Sequence, residues 1–140
     1  MRAKPALSLV VPCYNEASGL ASFWARAGDA LDALGLPAEA VFVDDGSRDA
    51  TLAVLSALAA RDPRVRVVSL SRNFGKEVAL AAGLDHASGD AVVPIDADLQ
   101  HPPELLSELV AKWREGHDVV IALRRDRATD PAARRIASDL

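Results

Sequence analysis

Cysteine is almost absent: Cys13 stands alone in a chain of 140 residues, so an intramolecular disulfide is impossible. A catalytic thiol would want a base beside it. None of the three histidines lies near Cys13 in sequence, and an inert, packed cysteine is the simpler reading. Half the residues are hydrophobic, yet no uninterrupted apolar run approaches the roughly 20 residues that span a bilayer. Met1-Arg2-Ala3-Lys4-Pro5 leads straight into a strand-like run without a signal-peptide cleavage pattern, which points to a cytosolic chain. Positive charge is not in excess either. The formal charge of −4 argues against nucleic acid as the main partner. Internal repeats and low-complexity linkers are missing, and the length allows one domain at most, with room for a real core.

What is present is a regular alternation. Strand-like runs at Leu7–Val11, Ala40–Val43, Val65–Leu70, Ala91–Ile95 and Val119–Leu123 are separated by helical patterns. Ala17–Leu34 carries Leu20, Phe23, Trp24, Ala27, Leu31 and Leu34 on one stripe, and Gly35 stops it. A second helix runs from about Asp49 to Ala60 and breaks at Asp62-Pro63; a third spans about Lys76 to His86. After Pro102-Pro103, a fourth turns Leu105, Leu106, Leu109, Val110 and Trp113 inward and ends at Gly116. Pro131 is expected to open another helix through the chain end. Such βαβα order implies a three-layer α/β/α domain with a mostly parallel sheet.

Acidic residues gather where the strands end. Asp96-Ala97-Asp98 follows the β-branched run Ala91–Ile95, which reads as a buried parallel strand. In an open α/β sheet, the carboxyl edge is where ligands bind. Crowded carboxylates are costly unless a positive charge lies between them, and an all-oxygen set with Gln100 suits Mg²⁺ or Mn²⁺. His101 is read as a capping or packing residue. Asp44-Asp45-Gly46-Ser47 repeats the theme after the second strand, with Ser47 or Asp49 free to cap the next helix. Pro12-Cys13-Tyr14-Asn15-Glu16 follows the first strand; Asn15 is a candidate helix cap, while Tyr14 and Glu16 suit a nucleobase and ribose hydroxyls.

Ser71-Arg72-Asn73-Phe74-Gly75-Lys76-Glu77 follows the third strand. A Walker A loop would need glycine where Leu70 stands, so that motif is excluded. Gly75 and Lys76 at a helix start leave two readings, a phosphate-facing turn or a solvated surface turn. The tail poses a similar choice: Arg124, Arg125, Arg127, Arg134 and Arg135 outnumber Asp126, Asp130 and Asp139. They form either a solvated face or a surface for phosphate or an anionic membrane.

Taken in order, these segments resemble the inverting family 2 glycosyltransferases of GT-A fold, from Leu7 to about Arg127. Leu70–Glu77 together with Asp96-Ala97-Asp98-Leu99-Gln100 resembles the polyprenyl-phosphate branch, with its dolichyl-phosphate mannose synthases and bactoprenol glucosyltransferases. The resemblance implies that Pro12, Tyr14 and Glu16 line a nucleotide pocket and that Val43 and Asp45 hold the base. It places Asp96 and Ala97 at the ribose and diphosphate, Asp98 and Gln100 on a Mg²⁺ or Mn²⁺ ion, and Arg124 at the diphosphate or sugar. Asp98 and Arg124 are then the candidate catalytic residues. The implied donor is a nucleotide-diphosphate sugar, UDP-glucose first, and the implied acceptor a lipid phosphate at the cytoplasmic face of a membrane.

Members of that family are longer. The chain is accordingly expected to be the N-terminal, nucleotide-sugar-binding part of a GT-A domain. Membrane contact is expected through a further part, and the antiparallel sixth strand outside this chain. On its own it is expected to bind nucleotide with little or no transfer. The alternatives from other classes are a non-catalytic binding module of the same fold and a signalling receiver domain. Receivers carry their acids after strands one and three; here the acids follow strands two and four.

Overall fold

Seven consecutive residues, Leu7–Cys13, form β1, and all but Pro12 are buried. The next strands are β2 (Ala38–Asp44), β3 (Val65–Ser69) and β4 (Ala91–Pro94). They alternate with α1 (Leu20–Leu34), α2 (Thr51–Arg61) and α3 (Lys76–His86), and α4 (Leu106–Arg114), β5 (Val120–Ala122) and β6 (Ile136–Ser138) follow. The structure, a computed structural model, describes residues 4–98, 105–116, 120–122 and 136–138. Contacts divide the chain into two compact units, Met1–Pro103 and Glu104–Leu140.

In the first unit the four strands are parallel in the order β3-β2-β1-β4. The chain winds outward from β1 to β3 and then returns to the other side of β1. The connections on the two sides of β1 therefore run in opposite directions, which opens a crevice above the carboxyl ends of β1 and β4. That reversal positions the site.

Period-2 side-chain alternation decides which helix each face receives. Phe42 meets α1, with Phe23 and Trp24 packed edge-on at centroid distances of 6.1 and 5.9 Å. Val41 and Val43 face the other way and form a core with Ala79 of α3. Both faces of β2 are thus covered, as the alternation of elements predicts. Trp24 also donates its indole N–H to Asp62, while the Arg64 guanidinium lies 5.3 Å from the Trp24 ring centroid.

Three expectations need correction. Val92 is 37% exposed, so β4 is not buried on both faces. Among the described residues it has β1 on one side and no strand on the other. Val120–Ala122 does not join the parallel sheet: β5 pairs antiparallel with β6 in a separate two-stranded sheet. Ile136–Ser138, expected to be helical, is that partner strand. A three-residue strand draws its hydrogen bonds from a distant segment, so tertiary pairing overrides the local helical pattern.

Candidate functional site

Above the switch in strand order between β1 and β4 lies a cleft of about 420 Å³. Pro12, Cys13, Tyr14 and Glu16 line it from the end of β1, and Asp45 from the end of β2. Asn73, Gly75 and Lys76 line it from the β3–α3 loop, and Asp96, Ala97 and Asp98 from the segment after β4. Four separate loops converge because parallel strands all present their carboxyl ends on one side.

Each loop is pinned by short polar links rather than by a core of its own. Asn15 adopts φ 53° and accepts, through Oδ1, the backbone N–H groups of Arg48 (2.8 Å) and Asp49 (3.3 Å). Its own N–H donates to Ser47 Oγ, the Glu16 N–H to Thr51 Oγ1, and the Ala17 N–H to Asp49 Oδ2. Asn15 therefore does not cap α1, which starts at Leu20 after Gly19 without a side-chain cap. It joins the β1 loop to the β2 loop. No side-chain cap closes α2 at Ala50 either; Asp49 instead accepts from the Thr51 N–H and hydroxyl.

Asp45 clamps the neighbouring loop. Its Oδ1 accepts the Phe74 N–H at 2.8 Å, and Oδ2 accepts the Gly75 N–H at 3.1 Å and the Asn73 amide at 3.3 Å. The Asn73 amide also donates to the Asp45 carbonyl. A carboxylate has about four acceptor directions, so most of this one is spent on the loop. Gly46 completes the joint: at φ +67° a side chain there would be strained, and its Cβ would collide with the backbone of Arg72 and Asn73. The role implied by resemblance, a base N–H held by Asp45, thus competes with three existing hydrogen bonds.

Charge in the cleft is unbalanced. Among its described lining residues, Glu16, Asp45, Asp96 and Asp98 carry carboxylates, and Lys76 is the cation. Lys76 Nζ reaches Asp96 Oδ1 at 2.7 Å. Burial pushes the Glu16 carboxyl above its usual range, and the charges of Asp98, Asp49 and Asp96 push it further. A bound divalent cation would relieve exactly that repulsion, so the oxygen-rich residues fit Mg²⁺ or Mn²⁺. Among the described residues, no group of three His, Cys, Asp or Glu is arranged as a ready-made metal cage. The Cys13 thiol is buried and pushed far up, first by burial and then by Glu16 and Asp44. Burial and the neighbouring carboxylates both disfavour a thiolate there.

The remaining predicted positions separate. Val43 is fully buried in the core under α3 and is absent from the cleft lining. Its parity on β2 puts it on the α3 face, so it supports the floor and does not touch the cavity. Gln100 and Arg124 lie outside the described residues, as do His101, Arg125 and Arg127. Asn73 and the Asp45 clamp were missed in the sequence, because the contact joins residues 28 positions apart.

Fold and cleft define an α/β domain with its site at the carboxyl edge of a parallel sheet, and the chain belongs to glycosyl transferase family 2, whose family model matches residues 8–139. An uncharacterized glycosyltransferase of Synechocystis, sll0501, is 53% identical over 121 residues, covering 86% of this chain and 38% of that protein. The bactoprenol glucosyl transferase of Shigella phage SfV is 50% identical over 129 residues, covering 92% and 42%. Among solved structures, the mannosyltransferase PcManGT from Pyrobaculum calidifontis, in complex with GDP-Man and Mn²⁺, superposes with a TM-score of 0.70. It is 26% identical, and the match covers 86% of this chain and 36% of that one. The fold is therefore GT-A, and the chain spans about two fifths of the length of these curated relatives.

Proposed function

We propose that the cleft binds a nucleotide-diphosphate sugar, UDP-glucose first, as the donor half of a transferase. The complete protein would pass the hexose, with inversion, to a polyprenyl phosphate at the cytoplasmic face of a membrane. The observation that carries this is the convergence of Glu16, Asp96 and Asp98 above the β1–β4 switch point in a family 2 chain. The glucosyl donor and lipid-phosphate acceptor follow the bactoprenol glucosyl transferases among its relatives. The described residues contain no helix long and apolar enough to cross a membrane.

In the proposed complex, Tyr14, 41% exposed at the rim, offers its ring to the base. Glu16 and Asp96 accept ribose hydroxyls, with Ala97 beneath. Asp45 keeps the Asn73–Gly75 wall in place. Asp98 and Gln100 would hold Mg²⁺ or Mn²⁺, which supplies Lewis-acid stabilisation of charge on the departing diphosphate. Arg124 would add a second positive group there. A phosphate monoester has its second pKa near 6, so the acceptor is already an anion at neutral pH. Deprotonation then matters less than control of two anions that repel each other.

A thermal-shift screen of nucleotide sugars, each with and without Mn²⁺, tests the donor half. UDP-glucose with Mn²⁺ is expected to raise Tm, and neither component alone to match it. Stabilisation by none of the nucleotide sugars would refute the proposal.

A further inference from the structure

Lys76 is placed against its local electrostatics. It is the first residue of α3, where the aligned peptide dipoles already leave partial positive charge and a lysine is disfavoured. Gly75 before it supplies no side-chain cap, and the Asp45 clamp fixes that glycine's N–H. The stem of Lys76 therefore starts from an anchored point. Its ammonium crosses to Asp96 at 2.7 Å, with 66% of the lysine side chain exposed against 25% of the aspartate's. An exposed, long, flexible side chain bound at one end to a fixed loop can exchange partners at little cost.

We infer that Lys76 is the resident counter-ion of the donor cleft, pairing with Asp96 while the cleft is empty and turning to the donor's diphosphate when a divalent cation takes over the carboxylates. The role presupposes the donor site proposed above and adds a coupling to it. Without nucleotide, the ammonium neutralises part of the acidic cluster and so opposes a bare cation. Without cation, it is the positive group available, among the described lining residues, to an arriving diphosphate. When both bind, two positive charges replace one at the carboxylates, and Lys76 is released toward phosphate. Cation and nucleotide are then each other's helpers, and linkage makes the help reciprocal. Lys76 is on this account a positioning and selectivity residue. Bond-making is left to other groups.

The test compares the unaltered chain with Lys76→Met and Lys76→Arg by titration calorimetry, using Mn²⁺ alone, UDP alone in chelator, and UDP with Mn²⁺. An exposed ion pair is worth up to about a fivefold change in affinity. Lys76→Met is therefore expected to bind Mn²⁺ alone about two- to fivefold more tightly. It should bind UDP alone more weakly and lose most of the mutual enhancement. Lys76→Arg should retain the enhancement, and Lys76→Met with Asp96→Asn should show no further gain in the UDP-independent Mn²⁺ affinity. Unchanged or weaker Mn²⁺ binding in Lys76→Met, beside normal UDP binding, would overturn the inference while leaving the donor site standing. Failure of the unaltered chain to bind either probe would overturn both. Circular dichroism of each variant confirms that the fold is intact, since Lys76 is exposed and outside the core.

Discussion

Glu39→Gln removes a buried charge at the end of the sheet opposite the cleft, and its cost can be worked out from the hydrogen bonds. The carboxylate is 2% exposed and accepts from Ser8 Oγ at 2.6 Å, the Ser88 N–H at 2.7 Å, and Ser88 Oγ and Arg66 Nη1 at 2.9 Å. These partners come from β1, β3 and the α3–β4 connection, so Glu39 sets where β4 begins. Burial alone would raise the carboxyl's pKa. Hydrogen bonds from Ser8, the Ser88 backbone, Arg66 and the Ser88 hydroxyl outweigh it and lower the value from 4.5 to about 2. That difference corresponds to about 3 kcal/mol of stability. Because the folded value is depressed, the contribution is complete above the unfolded value of 4.5 and disappears as pH falls through about 2.

Glutamine keeps the shape but turns an amide toward donors that want an acceptor, while the half-exposed Arg66 rehydrates. Urea unfolding followed by tryptophan fluorescence should show Glu39→Gln less stable by about 3 kcal/mol at pH 7. The gap should narrow to about 1 kcal/mol at pH 3. A cost under about 1 kcal/mol at pH 7, or a gap that does not change with pH, would refute the reasoning.

Three further outcomes are expected. Asp45→Ala should speed amide exchange at Phe74 and Gly75 and weaken UDP-glucose binding by at least about tenfold, the scale of one lost charged hydrogen bond; normal exchange at both amides would remove the clamp. Gly83→Ala should cost about 1–3 kcal/mol in urea unfolding, because its Cβ would collide with Val10 Cγ1 and press on Val43 Cγ2 at 3.1 Å. The Cys13 thiol should resist a disulfide-exchange reagent in the native protein at pH 8 and react fully in denaturant; rapid native labelling would contradict its burial and raised pKa.

The sheet and the loops that carry acids were legible because they are local patterns. The apolar run Leu7–Val11 and the β-branched run Ala91–Ile95, each followed within a few residues by polar ones, mark parallel strands and their carboxyl ends without any long-range information. The extra residues of β1 and β2 were less visible, since pairing such as Cys13 with Asp44 extends strands past their apolar runs. Val43 shows the limit of motif reasoning: its neighbour Asp45 lines the cleft, but two residues back along a strand the side chain is committed to the core face. Asn15 looked like a helix cap from its position. Its real partners, Arg48 and Asp49, belong to a loop more than 30 residues away. The Asp45–Asn73 clamp is likewise a product of the pairing of β2 with β3, and the Lys76–Asp96 pair of the crossover from β3 back to β4, neither of which sequence spacing encodes.

Calorimetric titration of UDP-glucose in the presence of Mn²⁺, on the unaltered chain and on Asp98→Ala, goes to the centre of the account. Saturable binding that needs Mn²⁺ and falls at least about tenfold in Asp98→Ala is the expected result, with circular dichroism confirming that both proteins are folded. Equal affinity in the two proteins, or binding indifferent to the cation, would contradict it.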